Sequence, residues 1–192
     1  KVFGEGMAIL AGDALLTYAF EILSNMDDGS NSTQILQIIK EVSRASGTAG
    51  MIGGQVVDIL SEQEKPTADL LNYIHNHKTG ALIEASVRMG AILGGANAEQ
   101  LAALTQYAHQ LGLAFQITDD ILDVVGDASK IGKPVGSDEK NEKATFPAFY
   151  GLEQSHLMAK QAVESAIAAL EPFGQQGEIL VQLAQYLLCR ES

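Results

Sequence analysis

The stretch GLAFQITDDILDVVGD, residues 112–127, carries Asp119, Asp120, Asp123 and Asp127 directly after an apolar run. In a helix, Asp119 and Asp123 are one turn apart and share a face, with Asp120 turned to the side. Carboxylates so placed repel one another, and partial burial makes the repulsion worse. A hard cation relieves it. Mg²⁺ commonly takes one or two protein carboxylates and completes its shell with water and substrate phosphates. The plainer alternative is a solvated acidic helix end. Acids near a helix carboxyl terminus oppose the helix dipole, which counts against that alternative. Spacing alone leaves both open.

The basic residues come next. HNHKTG places Lys78 and Thr79 at an expected helix start, where backbone N–H groups favour anions. SKIGKPVG supplies Lys133 and NEKATFP supplies Lys143, both just beyond the aspartates. Each alone reads as an ordinary surface lysine. Together with metal-ligating carboxylates they suggest a diphosphate held between Mg²⁺ and ammonium groups. Gln55 and Asp58 share a helix face and are candidates to flank Lys78. His75 and His77 are two apart and point to different faces, so a zinc pair is not expected. Asp13, in LAGDALL, is expected to be buried and hydrogen-bonded rather than catalytic. Asp138 is a candidate outer ligand or lysine partner.

These residues need helices to position them. MAILAGDALLTYAFEIL, residues 7–23, is apolar on most faces and predicts a buried helix. Ser32 or Thr33 is a candidate cap for the amphipathic QILQIIKEVSRAS, which ends at Gly47. AGMIGGQVVDILS is expected to be helical despite its glycines. The chain restarts after Pro66 with Thr67 as cap. Asn97 caps a long helix running to Gly126. Two further helices are expected near 145–171 and 176–189. No period-two alternation marks a strand, so the expectation is an all-α fold.

Composition sets the outer limits. The net charge is −12 with only 12 Lys and Arg among 192 residues, so nucleic-acid binding is set aside. An anion site must then be built locally. Cys189 is the only cysteine, which excludes an internal disulfide and suggests a reducing compartment. Its thiol is expected to be buried or idle. The amino end shows no signal-peptide pattern. No membrane span is expected; GALIEASVRMGAILGG, the apolar run examined for one, is broken by Glu84 and Arg88.

With these motifs in order along nearly the whole chain, the sequence resembles the trans-isoprenyl diphosphate synthases, the polyprenyl synthetase family. The segments that carry the resemblance are LAGDALLTYAFEIL, GMIGGQVVDI, IHNHKTGALI, GLAFQITDDILDVVGD and GKPVGSDEKNEKATFP. The wording is most similar to bacterial and plastid-type geranylgeranyl or farnesyl diphosphate synthases. The resemblance implies a helical bundle around a central cavity, usually a homodimer, in the cytoplasm or the plastid stroma. It implies Mg²⁺-dependent, head-to-tail condensation of an allylic diphosphate with isopentenyl diphosphate. Asp119, Asp120 and Asp123 would form the second aspartate-rich motif, with Asp119 the direct metal ligand. Lys78, Lys133 and Lys143 would grip the allylic diphosphate, and Thr79 and Gln116 would line the site where the allylic cation develops. Gln116, three residues before Asp119, lies on the same helix face.

One part of the family pattern is not matched. The family's first aspartate-rich motif, expected upstream of KVFGEGMAIL, has no counterpart here. Asp27 and Asp28 in MDDGSN precede Gly29 without a third acid at the right spacing, and do not substitute. On this reading, residues 1–192 are the carboxyl-terminal portion of a single synthetase domain whose first helices are missing. Two alternatives remain: a non-catalytic fragment or homologue serving as a subunit of a heteromeric synthase, and a terpene cyclase of related fold. Consumption of isopentenyl diphosphate separates a synthase from a cyclase.

Overall fold

The computed structural model describes residues 2–26, 32–61, 67–125 and 145–190. Asp27, Asp28, Gly29, Gly126, Asp127, Lys133, Asp138 and Lys143 lie outside these residues. Among the described residues every regular element is helical. They are α1 (Glu5–Ser24), α2 (Ser32–Ser46), α3 (Met51–Ser61), α4 (Ala68–Ile74), a π turn (His75–Gly80), α5 (Ala81–Leu93), α6 (Ala98–Val125), α7 (Phe146–Tyr150), α8 (Leu152–Ala169), a 3₁₀ turn (Glu171–Gly177) and α9 (Glu178–Cys189).

The starts of α4 and α6 follow from capping chemistry. The Thr67 hydroxyl accepts from the Leu70 N–H at 3.2 Å. At α6, Asn97 Oδ1 accepts from the Gln100 N–H at 2.9 Å, and Gln100 Oε1 accepts from the Asn97 N–H at 3.0 Å. This reciprocal pair satisfies two backbone donors that the first turn would otherwise leave open. Ser32 and Thr33 fall inside α2 rather than capping it.

Helix α6 is the axis of the molecule, with α5, the π turn, α7, α8 and α9 packed around it. Small residues let α6 and α8 approach closely. Ala114 meets a row of Ala162, Val163 and Ala166, and this core extends to Leu170, Ala184 and Leu187. Tyr107 is fully buried in the same cluster. Its hydroxyl donates to the Leu180 carbonyl at 2.9 Å, and burial pushes its pKa up to about 12. A second core beneath the acidic end of α6 joins Ile117 and Ile121 to Leu71, Phe146 and Ala159.

Several expectations are corrected. The expected helix over 145–171 is divided at Gly151, whose φ of +79° cannot continue a right-handed helix. A 3₁₀ turn carrying Pro172 then separates α8 from α9. Cys189 is exposed, not buried.

The largest correction concerns α1. It packs on α2 near its carboxyl end, where Leu23 joins Ile38 and Ile92, and most of its apolar surface is bare. Ile9, Leu15, Leu16, Tyr18 and Ile22 are all exposed. Asp13 is therefore exposed rather than buried, and its carbonyl accepts from the Thr17 hydroxyl. Apolar composition calls for burial, but no described element covers these faces. By length and composition α1, with a mean hydropathy of 1.5 over its most apolar window, could cross a bilayer. It meets that criterion better than the segment around residues 80–95 considered from sequence.

Candidate functional site

Residues 68–93 run as one helical column, interrupted only in pitch. Gly80 keeps an ordinary helical φ of −57°, so it does not break the column. Lys78 and Thr79 therefore sit in mid-helix, within the π turn, and not at a helix start as expected. Any anion recognition there comes from side chains rather than from unpaired backbone N–H groups.

Two glycines bring neighbouring helices against this turn. A methyl group on Gly54 of α3 would lie 2.3 Å from the Lys78 backbone nitrogen. One on Gly112 of α6 would lie 3.3 Å from the Gly80 Cα. Only glycine permits the first approach without displacing backbone. The closeness puts Asp58, one turn beyond Gly54, within reach of Lys78, and their carboxylate and ammonium pair at 2.6 Å. The Lys78 side chain remains 35 % exposed, so the ammonium keeps room for a second acceptor.

The π turn and α6 run antiparallel. Gly80 abuts Gly112, while His75 Nε2 lies 3.5 Å from Asp120 Oδ2. Lys78 and Thr79 lie between these contacts in sequence, and Gln116 lies between them on α6. At about 100° per residue, Gly112, Gln116, Asp119, Asp120 and Asp123 fall within one arc of α6. Thr79 and Gln116 are both half-buried along this seam. The structure thus brings Lys78, Thr79, Gln116 and the three aspartates to one pair of facing elements.

The three aspartates are not equivalent. Asp120 is buried, and its Oδ2 accepts the Phe146 N–H at 2.9 Å, holding the first turn of α7 against α6. His75 stacks on the Phe146 ring at 5.5 Å beside it. Asp123 is 2 % exposed. Asp119 keeps a side chain 36 % exposed, with the Arg190 guanidinium 3.8 Å from its Oδ1. Arg190 in turn lies over the Phe115 ring, 4.9 Å from its centroid. The aspartate expected to be the direct metal ligand is therefore the most accessible of the three.

Among the described residues no three His, Cys, Asp or Glu side chains converge to enclose a metal by themselves. Mg²⁺ does not require such a cage. It keeps waters and takes phosphate oxygens alongside one or two carboxylates. An all-oxygen acidic ledge with one accessible carboxylate fits that preference. His77 stacks on Tyr73 at 3.9 Å, and its Nδ1 donates to the Tyr73 carbonyl at 2.8 Å. The two histidines thus engage different neighbours, as their spacing required.

A second polar cluster lies farther along the same column. Arg88 donates through Nε and Nη2 to both Glu41 oxygens at 2.6 and 2.7 Å, and through Nη1 to the Thr105 hydroxyl at 2.6 Å. The Arg88 hydrogen bond holds the Glu41 carboxyl below the usual range, against the opposing effect of burial. A cleft of about 650 Å³ opens there, lined in part by Lys40, Arg44, His77 and His109. It contains none of the site residues expected from sequence.

Sequence reasoning found Asp58 as a possible neighbour of Lys78. It missed Gly54 as the spacer that permits the pairing, although a glycine inside a helical pattern is a signal of close approach. It also missed the Arg190–Asp119 pair, which joins distant helices and leaves no periodic trace.

Comparison with known proteins places these features in a wider set. Residues 1–183 match the family model described as Polyprenyl synthetase. The chain is 48 % identical to a dimethylallyltranstransferase from Fischerella ambigua over 99 % of its length. It is 41 % identical to a geranylgeranyl diphosphate synthase from Cyanophora paradoxa and 44 % identical to a farnesyl diphosphate synthase from Geobacillus stearothermophilus, each over 100 % of its length. It spans 55 %, 64 % and 65 % of those relatives respectively. A geranyltransferase from Helicobacter pylori, solved with magnesium and isoprenyl diphosphate, superposes with a TM-score of 0.81 at 34 % identity, over 97 % of this chain and 61 % of that one.

Proposed function

Because the chain belongs to the polyprenyl synthetase family, we propose that the whole protein is a Mg²⁺-dependent prenyltransferase that condenses an allylic diphosphate with isopentenyl diphosphate. The product proposed is geranylgeranyl or farnesyl diphosphate, the two products named among its relatives. The observation that carries the proposal is the seam between the π turn and α6, two facing elements that carry an accessible carboxylate, an ammonium on a side chain one-third exposed and two half-buried polar side chains.

In this proposal Asp119 is the direct Mg²⁺ ligand, with Asp120 and Asp123 supporting it. Mg²⁺ held there would supply positive charge to offset what builds on the departing diphosphate. Lys78 supplies a further positive charge to that diphosphate, released from or shared with Asp58. Lys133 and Lys143 complete the grip. Thr79 and Gln116 face the carbon that becomes cationic, and their oxygen dipoles favour positive charge there. Buried Asp120 fixes α7 and the end of α6, so the ledge does not shift when charge develops. The released diphosphate accepts the final proton, so the chain needs no histidine base. Pairing with a second copy across α1 belongs to the same proposal and is supported by that helix's bare apolar side chains.

The test is isopentenyl diphosphate consumption by the purified full-length protein, with and without Mg²⁺, in wild type and Asp119→Ala. Loss of about 10²–10³ in turnover is expected for the variant, the scale seen when one group stabilising developing charge is removed. Near-normal turnover would overturn the assignment. Sedimentation at micromolar concentration tests the dimer; a monomer would remove it.

A further inference from the structure

We infer that Arg190 is a positioning residue that sets how readily a divalent cation reaches Asp119, by occupying that carboxylate with its own positive charge. The inference rests on the proposed metal role of Asp119. Arg190 ends α9, where the backbone turns extended at φ −68° and ψ 132°. Its guanidinium lies back against α6, 3.8 Å from Asp119 Oδ1 and 4.9 Å from the centre of the Phe115 ring. Phe115 and Asp119 are one turn apart on α6, so the ring is a shelf and the carboxylate a stop. The Arg190 side chain is only 19 % exposed, whereas Asp119 is 36 % exposed. The guanidinium is thus seated on the protein, beside a carboxylate that keeps part of its surface in solvent.

A guanidinium stays charged at every ordinary pH. A divalent cation arriving at Asp119 therefore meets a fixed positive charge a few ångströms away, and like charges at that range repel. A diphosphate arriving with the metal reverses the local sign. The arrangement makes metal binding weak alone and stronger in company with the anion.

The test is Mn²⁺ binding to the full-length protein, followed by the electron paramagnetic resonance signal of free Mn²⁺, with no diphosphate present. Arg190→Gln is expected to bind Mn²⁺ about two- to fivefold more tightly than wild type, the range of a partly exposed ion pair. Arg190→Lys keeps the charge and should stay near wild type. Phe115→Leu removes the shelf but not the charge, and should shift affinity in the same direction as Arg190→Gln by less. Arg190→Gln affinity equal to or weaker than wild type overturns the inference. Asp119→Asn reads the premise separately: if it leaves Mn²⁺ affinity unchanged, the metal role of Asp119 fails and the inference fails with it. A purely structural Arg190 would change thermal stability and leave Mn²⁺ affinity where it was.

Discussion

The column from Ala68 to Leu93 carries two ion pairs that look alike in the sequence and differ in the structure. At Arg88 the pair is closed. Both Glu41 oxygens are engaged, a third donor is used by Thr105, and both side chains are mostly covered. At Lys78 the pair is open: one bond to Asp58, a side chain one-third exposed, and a seam of polar groups on the facing helix. A cluster whose guanidinium fork is spent on both oxygens of one carboxylate serves the fold first. An unsaturated one, on an element facing a helix that carries one accessible carboxylate, is where an anion can be received.

The contrast breaks most easily at Lys78. Lys78→Ala in the full-length protein should lower kcat/KM by about 10²–10³ while leaving most of the folding stability intact. A variant that unfolds, or one that turns over normally, would erase the distinction. Arg88→Met should do the reverse. It strands Glu41 and should reduce unfolding free energy by about 2–3 kcal/mol, below the range for fully buried pairs because both partners keep some water. Urea unfolding measures that loss, and turnover per folded molecule should hold.

The glycines offer a finer test of what keeps the Lys78 pair in place. Gly54→Ala forces a methyl onto the Lys78 backbone and should destabilise by about 1–3 kcal/mol. Gly112→Ala meets a neighbour that need give only a few tenths of an ångström, and should cost less than about 1 kcal/mol. Equal effects would mean that α3 does not set the Lys78 position.

The smallest effect is in pH. The Glu41 carboxyl is held low in the folded state, chiefly by its Arg88 hydrogen bond, so the unfolded chain takes up this proton first as pH falls. The stabilisation is present above the ordinary glutamate range, about pH 4.3, and is lost as pH drops through the lower folded value. Glu41→Gln should flatten that acid limb by about 1 kcal/mol in thermal melts across this window. An unchanged limb would assign the acid sensitivity to other carboxylates.

Much of this was legible in the chain. Asn97 and Gln100 announce the start of α6, Thr67 after Pro66 announces α4, and the interval between Asp119 and Asp123 places both on one face. Local chemistry fixes such features, so local sequence carries them. The π turn was not legible, because Gly80 adopts helical angles and nothing in HNHKTG disrupts a helix. Nor was the exposure of α1: apolar side chains call for a cover without saying where it comes from. The Arg190–Asp119 contact depends on how α9 returns across α6, which only the assembled fold determines.

The π turn also ties the two ion pairs together as a phase setting. A π turn holds one more residue than the α turn it replaces. Were the residues from His75 to Gly80 wound as regular α-helix without loss of any of them, everything beyond would rotate by about 100° relative to α4. Arg88 would swing off Glu41 while His75 still faced Asp120, or the reverse. The six residues of the turn therefore work like the offset of a vernier, aligning one end of the column with the acidic helix and the other with α2. A change that restored regular pitch there would break one of the two alignments.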